Sequence, residues 1–93
     1  MQILNHEQIT SELVSLTGWS LAGQVIERTI ECASFPAAIA LVTQIGFAAE
    51  AAAHHPDIDI RWRRVRLALA THDAGGITEK DIALARQIND LLG

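Results

Sequence analysis

The sequence is poor in residues that define several classes of protein. It has one cysteine, Cys32, two prolines and no tyrosine among its 93 residues. A single cysteine cannot form an internal disulfide or build a cysteine-rich zinc module, so we expect a reducing compartment, the cytoplasm. The formal net charge of −4 argues against a general nucleic-acid-binding protein, because such proteins need a surplus of lysine and arginine.

Long apolar runs are also missing. The most apolar stretch, residues 37–53, is interrupted by Thr43, Gln44 and Glu50, whereas a membrane span needs about 20 mostly apolar residues. The N-terminus has no basic segment followed by an apolar run, so we expect no secretory signal. With 49% hydrophobic and 19% charged residues, the composition predicts one folded domain, residues 1–93.

The first third of the chain predicts a helix followed by a β-hairpin. Apolar residues recur at helical spacing within residues 6–17, and Asn5 is placed to cap this helix. Residues 19–21 and 25–32 follow as strands, joined by a turn at residues 23–24.

The middle of the chain predicts the longest helix, residues 34–53. Ser34 is a suitable N-cap, and Pro56 disfavours helix at the residue before it. The residues expected on its buried face are Phe35, Ile39, Val42, Ile45 and Ala49. Most of the others are alanines, whose small size allows the helix to lie close to a sheet or to a partner subunit.

The last third predicts a second hairpin and a final helix. Residues 58–62 and 65–69 alternate as strands, and Trp19 and Trp62 are both expected in the core. The order α-β-β-α-β-β-α predicts an α+β fold, a four-stranded antiparallel sheet with helices on one face. Because so small a sheet leaves its outer strands unpaired, we expect a homo-oligomer, joined through a strand edge or the alanine-rich helix.

Three of the four histidines lie within residues 50–81. His54 and His55 directly precede Pro56, and His72 is predicted at the end of a strand. Imidazole both donates and accepts protons near neutral pH, so these rings are suited to proton transfer on a small molecule. We therefore predict that His54, His55 and His72 act as catalytic acids and bases.

The sequence also allows other roles for the histidines. One ring of the adjacent pair could interact with the helix C-terminus while the other faces water. Three histidines could also bind a metal, but adjacent residues diverge in regular structure, so we expect no metal site. Glu50 lies one turn before His54, and we expect its carboxylate to fix the tautomer of that ring.

The remaining charged groups have simpler interpretations. Thr78-x-x-Asp81 is a helix-capping pattern, and a site role for Asp81 would be additional. The one basic cluster consists of Arg61, Arg63, Arg64 and Arg66. We expect Arg61 and Arg63 to pair with Asp57, Asp59 or solvent rather than to bind nucleic acid. Cys32 is expected to be a small core residue.

The combined pattern resembles the pterin-4a-carbinolamine dehydratase family, and the resemblance covers nearly the whole chain. The matching motifs are Glu50-x-x-x-His54-His55-Pro56, Thr71-His72 and Gly76-Ile77-Thr78-x-x-Asp81, with Gly18-Trp19 and the Arg28 strand upstream. The resemblance implies the α+β fold described above and a homodimer or homotetramer.

The resemblance also implies an activity, the loss of water from 4a-hydroxytetrahydrobiopterin to give quinonoid dihydropterin, without a redox or metal cofactor. It assigns the proton transfers to His54, His55 and His72. The residues that it implies for binding the pterin or orienting the rings are Glu50, Pro56, Thr71, Asp73 and Asp81.

Two positions depart from the family pattern. Ala53 stands where some members have an acidic residue, and Ile58 stands where some have an aromatic one, so the pterin could be held differently. The family also includes members that act by binding, as a dimerisation cofactor of a homeodomain transcription factor or as assembly factors for a carboxylase. An interaction protein on the same scaffold is therefore the alternative function, and the three histidines favour the enzyme.

Overall fold

The order of elements is the predicted one. A computed structural model describes residues 2–93. Its elements are α1 (His6–Leu13), β1 (Ser20–Ala22), β2 (Val25–Glu31), α2 (Phe35–Ala52), β3 (Asp57–Arg61), β4 (Arg64–Leu69) and α3 (Glu79–Leu92). The four strands form one antiparallel sheet in the order β1-β2-β4-β3, which confirms the predicted α+β fold.

One face of the sheet carries the core. Val65, Leu67 and Leu69 alternate along β4 and are completely buried. Antiparallel pairing places Ile26 of β2 opposite Leu69 and Ile30 opposite Val65, so their side chains share the inner face. The helices contribute their buried apolar residues to this same cluster, chiefly Ile9, Leu41, Ile45, Ala49, Ile82, Leu84, Ala85 and Ile88.

The predicted helix starts are confirmed at α1 and α2. The side chain of Asn5 accepts from Gln8 N at 2.8 Å, and that of Gln8 accepts from Asn5 N at 2.8 Å, a complete capping box. Ser34 Oγ accepts from Ala37 N at 3.1 Å. Helix α1 ends at Leu13, four residues earlier than predicted, and turns then lead to β1.

The buried face of α2 differs from the predicted one. Its buried residues are Ala38, Leu41, Ile45 and Ala49, whereas Phe35 is 48% exposed and Ile39 is 42% exposed. The helix has more apolar positions than one face can bury, and the small side chains of Ala38 and Ala49 let it pack closely on the core. The prediction was therefore wrong for Phe35 and Ile39, which lie on an open apolar surface.

By length and composition alone, α2 could cross a membrane, since its 18 residues have a mean hydropathy of 1.4. A helix that packs one face into a core can reach the same value, and Ile45 is completely buried here. The apolar character of α2 is therefore weak evidence for a span, and the polar residues Thr43, Gln44 and Glu50 on its exposed side argue against one.

The two tryptophans have opposite environments. Trp19 is 5% exposed and belongs to the core, as predicted, but Trp62 is 72% exposed. The turn between β3 and β4 occupies Trp62 and Arg63, so the strand alternation stops at Arg61 and the Trp62 ring leaves the sheet. Its backbone is left-handed, with φ of 54°, and the guanidinium of Arg63 lies 5.0 Å from the ring centroid.

The arginine cluster pairs within the sheet, but not entirely as predicted. Arg61 Nε lies 3.2 Å from Asp59 Oδ1, which confirms that pairing. Arg63 pairs instead with Glu31, at 3.1 Å, because the turn directs its side chain toward the end of β2. Cys32 is half-buried against the core, in agreement with its predicted structural role.

A polar network joins the start of the sheet to α3. Asn89 Oδ1 accepts from Trp19 Nε1 at 2.9 Å and from Arg28 Nη1 at 2.5 Å. Arg28 Nη1 also reaches Thr17 O at 2.9 Å. Gly18 has φ of +88°, a conformation that favours glycine, and a Cβ there would lie 2.6 Å from Arg28 Nε.

We expect Asn89→Ala to lower the free energy of unfolding by about 1–3 kcal/mol, because Trp19 and Arg28 lose their shared acceptor in a partly buried position. Urea unfolding followed by circular dichroism measures the change. The control is Asp90→Ala, on the exposed neighbour, which should change stability by no more than about 0.5 kcal/mol. Equal stability of Asn89→Ala and the original protein would show that the network contributes nothing.

Candidate active site

Two connecting segments lie side by side at one end of the sheet. β3 begins at Asp57, which pairs with Ala68 near the end of β4. Because the two strands are antiparallel, the segment 54–56 before β3 runs beside the segment 70–72 after β4. The antiparallel pairing of β3 and β4 therefore brings the adjacent histidine pair close to His72, at the open end of the hairpin.

The end of α2 sets the direction of the histidine pair. Ala53 has φ of 52° and ψ of 39°, a left-handed conformation that usually belongs to glycine at helix ends. Ala53 N donates to Glu50 O and His54 N to Ala49 O, both at 3.1 Å, the two bonds of a Schellman motif. The chain therefore reverses at Ala53, and His54 turns inward toward α3.

A buried carboxylate holds His54. The residue is 9% exposed, and its Nε2 lies 2.5 Å from Oδ1 of the completely buried Asp81. Asp81 Oδ2 also accepts from Thr71 Oγ1 at 2.8 Å and from Thr78 N at 2.9 Å. Asp81 thus completes the predicted capping box of α3 and also contacts a histidine.

The hydrogen bonds around Asp81 indicate which of its neighbours donate a proton to it. Thr71 donates its one hydroxyl proton to Asp81, so the 2.8 Å contact between Thr71 Oγ1 and Thr78 Oγ1 must use the proton of Thr78. The bonds from Thr71 Oγ1 and Thr78 N are both accepted by Oδ2, and an ionised carboxylate has no proton to give at Oδ1, so with Asp81 ionised His54 Nε2 is the donor of their contact. The other nitrogen, Nδ1, is left to accept or donate a proton.

Glu50 bonds to His55 rather than to His54. The distance from Glu50 Oε1 to His55 Nε2 is 2.8 Å, and both side chains are largely exposed. The expected contact between Glu50 and His54 is therefore wrong, because the chain reversal at Ala53 turns His54 away from the helix surface. An exposed pair of this kind contributes little to stability, so its importance would lie in positioning the His55 ring.

His72 lies in a tight loop that follows β4. Thr71 and Gly76 form a β-bridge, with Thr71 N donating to Gly76 O at 2.8 Å, and the turn between them is residues 72–75. Gly75 has φ of +81°, which glycine adopts without steric cost. His72 and Asp73 are exposed on this loop, next to the buried Thr71.

The three predicted histidines line a single cavity of about 260 Å³. Its lining residues are Ala53, His54, His55, Ala70, Thr71, His72, Asp73 and Lys80. Of the other predicted site residues, Glu50, Pro56 and Asp81 lie outside the wall. Glu50 and Asp81 contact the histidine rings from behind, and Pro56 directly follows the pair. Three imidazoles therefore line the cavity, and two of them, those of His54 and His55, are hydrogen-bonded to the carboxylates of Asp81 and Glu50.

Sequence reasoning missed Lys80 and Ala70, and it noted Ala53 only as a departure from the family pattern. Lys80 follows Thr78 in the first turn of α3, and only the packing of α3 beside the histidine loops brings it to the cavity. Nothing in its local sequence marks it except that it precedes Asp81.

Within residues 2–93, no group of three or more histidine, cysteine, aspartate and glutamate side chains is arranged to hold a metal ion. The Nε2 atoms of His54 and His55 bond to different carboxylates, Asp81 and Glu50. The wall is suited instead to giving and accepting protons, because an oriented imidazole has one committed nitrogen and one available nitrogen. The fold and the cavity define a small α+β protein with a histidine-lined cavity.

The comparisons with known proteins agree with this class. The sequence model for pterin 4 alpha carbinolamine dehydratase matches residues 2–91. The chain is 57% identical over 93 residues to a Chloroflexus aurantiacus protein named "Putative pterin-4-alpha-carbinolamine dehydratase", covering 100% of both chains. It is 56% identical over 90 residues to a Nocardia farcinica protein of the same name, covering 97% of this chain and 95% of that one. The chain belongs to the pterin 4 alpha carbinolamine dehydratase family.

A solved structure has the same fold. It is the transcriptional coactivator/pterin dehydratase from Brucella melitensis, with a TM-score of 0.94 and 32% sequence identity. The match covers 99% of this chain and 100% of the other. The family resemblance inferred from the histidine motifs is confirmed.

We expect Asp81→Asn to reverse the tautomer of His54. An asparagine in this position can keep accepting from Thr71 and Thr78 through its oxygen, but its NH₂ group then faces His54 Nε2 and requires an acceptor there. Nitrogen-15 NMR of the imidazoles measures the shift of the proton from Nε2 to Nδ1.

The matched control for this prediction is Glu50→Gln, which should alter the signals of His55 alone. A His54 ring that keeps its Nε2 proton in Asp81→Asn would contradict the assignment of the hydrogen bonds.

Proposed function

We propose that residues 1–93 act as a single domain that dehydrates 4a-hydroxytetrahydrobiopterin to quinonoid dihydropterin and water. The observation that carries this proposal is the cavity of about 260 Å³ in which His54, His55 and His72 meet, with His54 held by the buried Asp81. The names of the relatives support the same reaction, and we place the protein in the cytoplasm.

The chemistry needs one proton donor and one acceptor. A protonated imidazole gives its proton to the C4a hydroxyl, the C–O bond breaks and water leaves. The electron pair of the adjacent ring nitrogen forms the new double bond, and a neutral imidazole takes the proton of that nitrogen. One proton is given and one is taken, so the histidines together return to their starting charge, and no redox or metal cofactor takes part.

The hydrogen bonds favour His54 as the proton acceptor. Its Nε2 proton is committed to Asp81, so a substrate proton would be taken at Nδ1, and the ionised Asp81 would stabilise the resulting imidazolium. His55 and His72 lie on the more exposed sides of the cavity and supply the proton to the leaving hydroxyl.

The remaining site residues act on the substrate or through the rings. Asp73 lines the cavity with an exposed carboxylate, which can accept from N–H groups of the pterin. Thr71 and Glu50 act through Asp81 and His55, because their side chains bond to those partners. Pro56 ends the histidine segment and fixes its direction into β3.

We expect His54→Ala and His72→Ala each to lower the turnover of freshly generated 4a-hydroxytetrahydropterin by on the order of 10², because each removes one proton-transfer group. His6→Ala is the matched control, since this fourth histidine begins α1 and lies outside the cavity wall. The readout is the dehydration rate above the spontaneous reaction.

Full activity in either site variant would contradict the assignment of the histidines. No acceleration by the unmodified protein would contradict the enzyme proposal itself.

The second candidate function is an interaction protein on the same scaffold. The Brucella melitensis structure carries the name transcriptional coactivator beside pterin dehydratase, and this chain has exposed apolar residues that a partner could cover. Those on α2 are Phe35, Ile39 and Phe47. This function becomes the leading one if the protein fails to accelerate the dehydration.

The same surfaces suit association between copies of this chain. β3 is an edge strand of five residues, and one of its sides has no strand partner in the order β1-β2-β4-β3. Unpaired backbone groups on such an edge favour pairing with another strand, and the open apolar side of α2 favours burial. We propose a homodimer or homotetramer joined through these two surfaces.

We expect Ile39→Glu to reduce the molecular mass measured by light scattering after size exclusion, because a charge on the open side of α2 opposes burial. Gln44→Glu places the same charge on an exposed position elsewhere on α2 and should leave the mass unchanged. An unchanged mass in Ile39→Glu would show that the open side of α2 is not part of the interface.

A further inference from the structure

Three arginines share the outer face of the sheet at the turn end of the β3–β4 hairpin, the end opposite to the histidines. Val65 and Leu67 are completely buried in the core, so the alternation of β4 places Arg64 and Arg66 on the other face. Arg61 of β3 is the direct partner of Arg64 and therefore lies on that face as well. The pairing of the two strands thus gathers three guanidinium groups on one exposed surface.

The stability of the sheet does not explain this arrangement. Arg61 and Arg64 are opposite each other, and like charges in directly opposed positions destabilise a sheet. Arg61 has a carboxylate partner in Asp59, but none of the ion pairs formed within residues 2–93 includes Arg64. Glu31, which is the partner of Arg64 on β2, forms its ion pair with Arg63. Arg64 therefore carries a charge that no neighbouring carboxylate neutralises.

The three arginines line a cavity of about 230 Å³, together with Thr29 and Asp59. Three guanidinium groups against one carboxylate give this wall a formal charge of +2, although the whole chain carries −4. Thr29 is the partner of Arg66 on β2, so its hydroxyl faces the same surface and can donate a further hydrogen bond. The cavity is therefore rich in donors and positive in charge.

Two of the guanidinium groups are held in place by carboxylates at the margin. Arg61 Nε lies 3.2 Å from Asp59 Oδ1, and Arg66 pairs with Glu27, which lies outside the cavity wall. Each of these pairs uses only part of a guanidinium, which has five N–H donors. The remaining donors of both groups, and all of those of Arg64, are available to a ligand.

The number of donors and the charge favour a phosphate group as the ligand. A phosphate monoester has three terminal oxygens and a charge of about −1.5 to −2 at pH 7, whereas a carboxylate has two oxygens and a single charge. The planar guanidinium matches the spacing of two phosphate oxygens and can bind them through two parallel hydrogen bonds. A dianion placed here would also offset the repulsion between Arg61 and Arg64.

We propose that Arg61, Arg64 and Arg66 form a binding site for the phosphate group of a small molecule, either free phosphate or a phosphate monoester. Arg64 supplies the charge that is not neutralised within the chain, and the other two arginines add donors on either side of it. The site lies on the outer face and at the opposite end of the hairpin from the histidine cavity, so it is separate from the function proposed above.

Titration calorimetry with inorganic phosphate, at an ionic strength held constant with chloride, measures this binding. We expect a Kd of about 1 mM or tighter for the unmodified protein, because several charge-assisted hydrogen bonds act on one anion. Arg64→Gln should weaken binding about tenfold, the usual effect of losing such a bond. Arg86→Gln removes the same charge from α3, where Arg86 pairs with Glu12, and should leave Kd unchanged.

A second variant tests the proposal in the opposite direction. Asp59→Asn removes the one carboxylate of the wall, so phosphate should bind about threefold more tightly or better, because an anion is no longer repelled at short range. Without phosphate, Arg64→Gln should melt at the same temperature as the unmodified protein or higher, because the repulsion from Arg61 is lost. Phosphate should raise the melting temperature of the unmodified protein more than that of Arg64→Gln.

Further ligands distinguish the sources of the phosphate and the competing explanations. Phenyl phosphate is a monoester, so tighter binding of it than of inorganic phosphate supports an esterified ligand, and the reverse order supports the free anion. Equal Kd values for phosphate and acetate would show a general attraction for anions and overturn the phosphate site. Equal phosphate affinity in Arg64→Gln and the unmodified protein, or no binding by either, also overturns it. Binding of a single-stranded oligonucleotide without binding of either phosphate compound would assign the surface to nucleic acid instead.

Discussion

The site depends on one buried carboxylate. Asp81 accepts hydrogen bonds from a ring nitrogen, a hydroxyl and a backbone N–H, so it links the end of α2, the loop after β4 and the start of α3. An ionised carboxylate is costly to bury unless its oxygens are satisfied, and here three donors satisfy them. The three segments are therefore held in a fixed arrangement by the same group that determines the tautomer of His54.

Much of this arrangement could be predicted from local sequence. Capping at Asn5, Ser34 and Thr78 depends on residues three positions apart, and the order of elements follows from hydrophobic periodicity. The grouping of His54 with His72 could be expected because one precedes and the other follows the strands of a single hairpin. These features are determined over short distances along the chain, where spacing alone carries the information.

The incorrect predictions concern contacts that short-range patterns do not determine. The partner of His54 is Asp81 rather than Glu50, because Ala53 adopts a left-handed conformation that only the packed structure reveals. Phe35 and Ile39 are exposed because α2 has more apolar positions than its packed face can bury. Lys80 reaches the cavity through the docking of α3, which is a tertiary contact.

The bond between His54 and Asp81 joins residues 27 positions apart, and the whole β3–β4 hairpin lies between them. It can form only after the hairpin has paired and α3 has packed against the end of α2. A partly folded chain that kept its separate helices would therefore lack an oriented imidazole. The histidine site exists only where this long-range contact has formed, whereas helix content can persist without it.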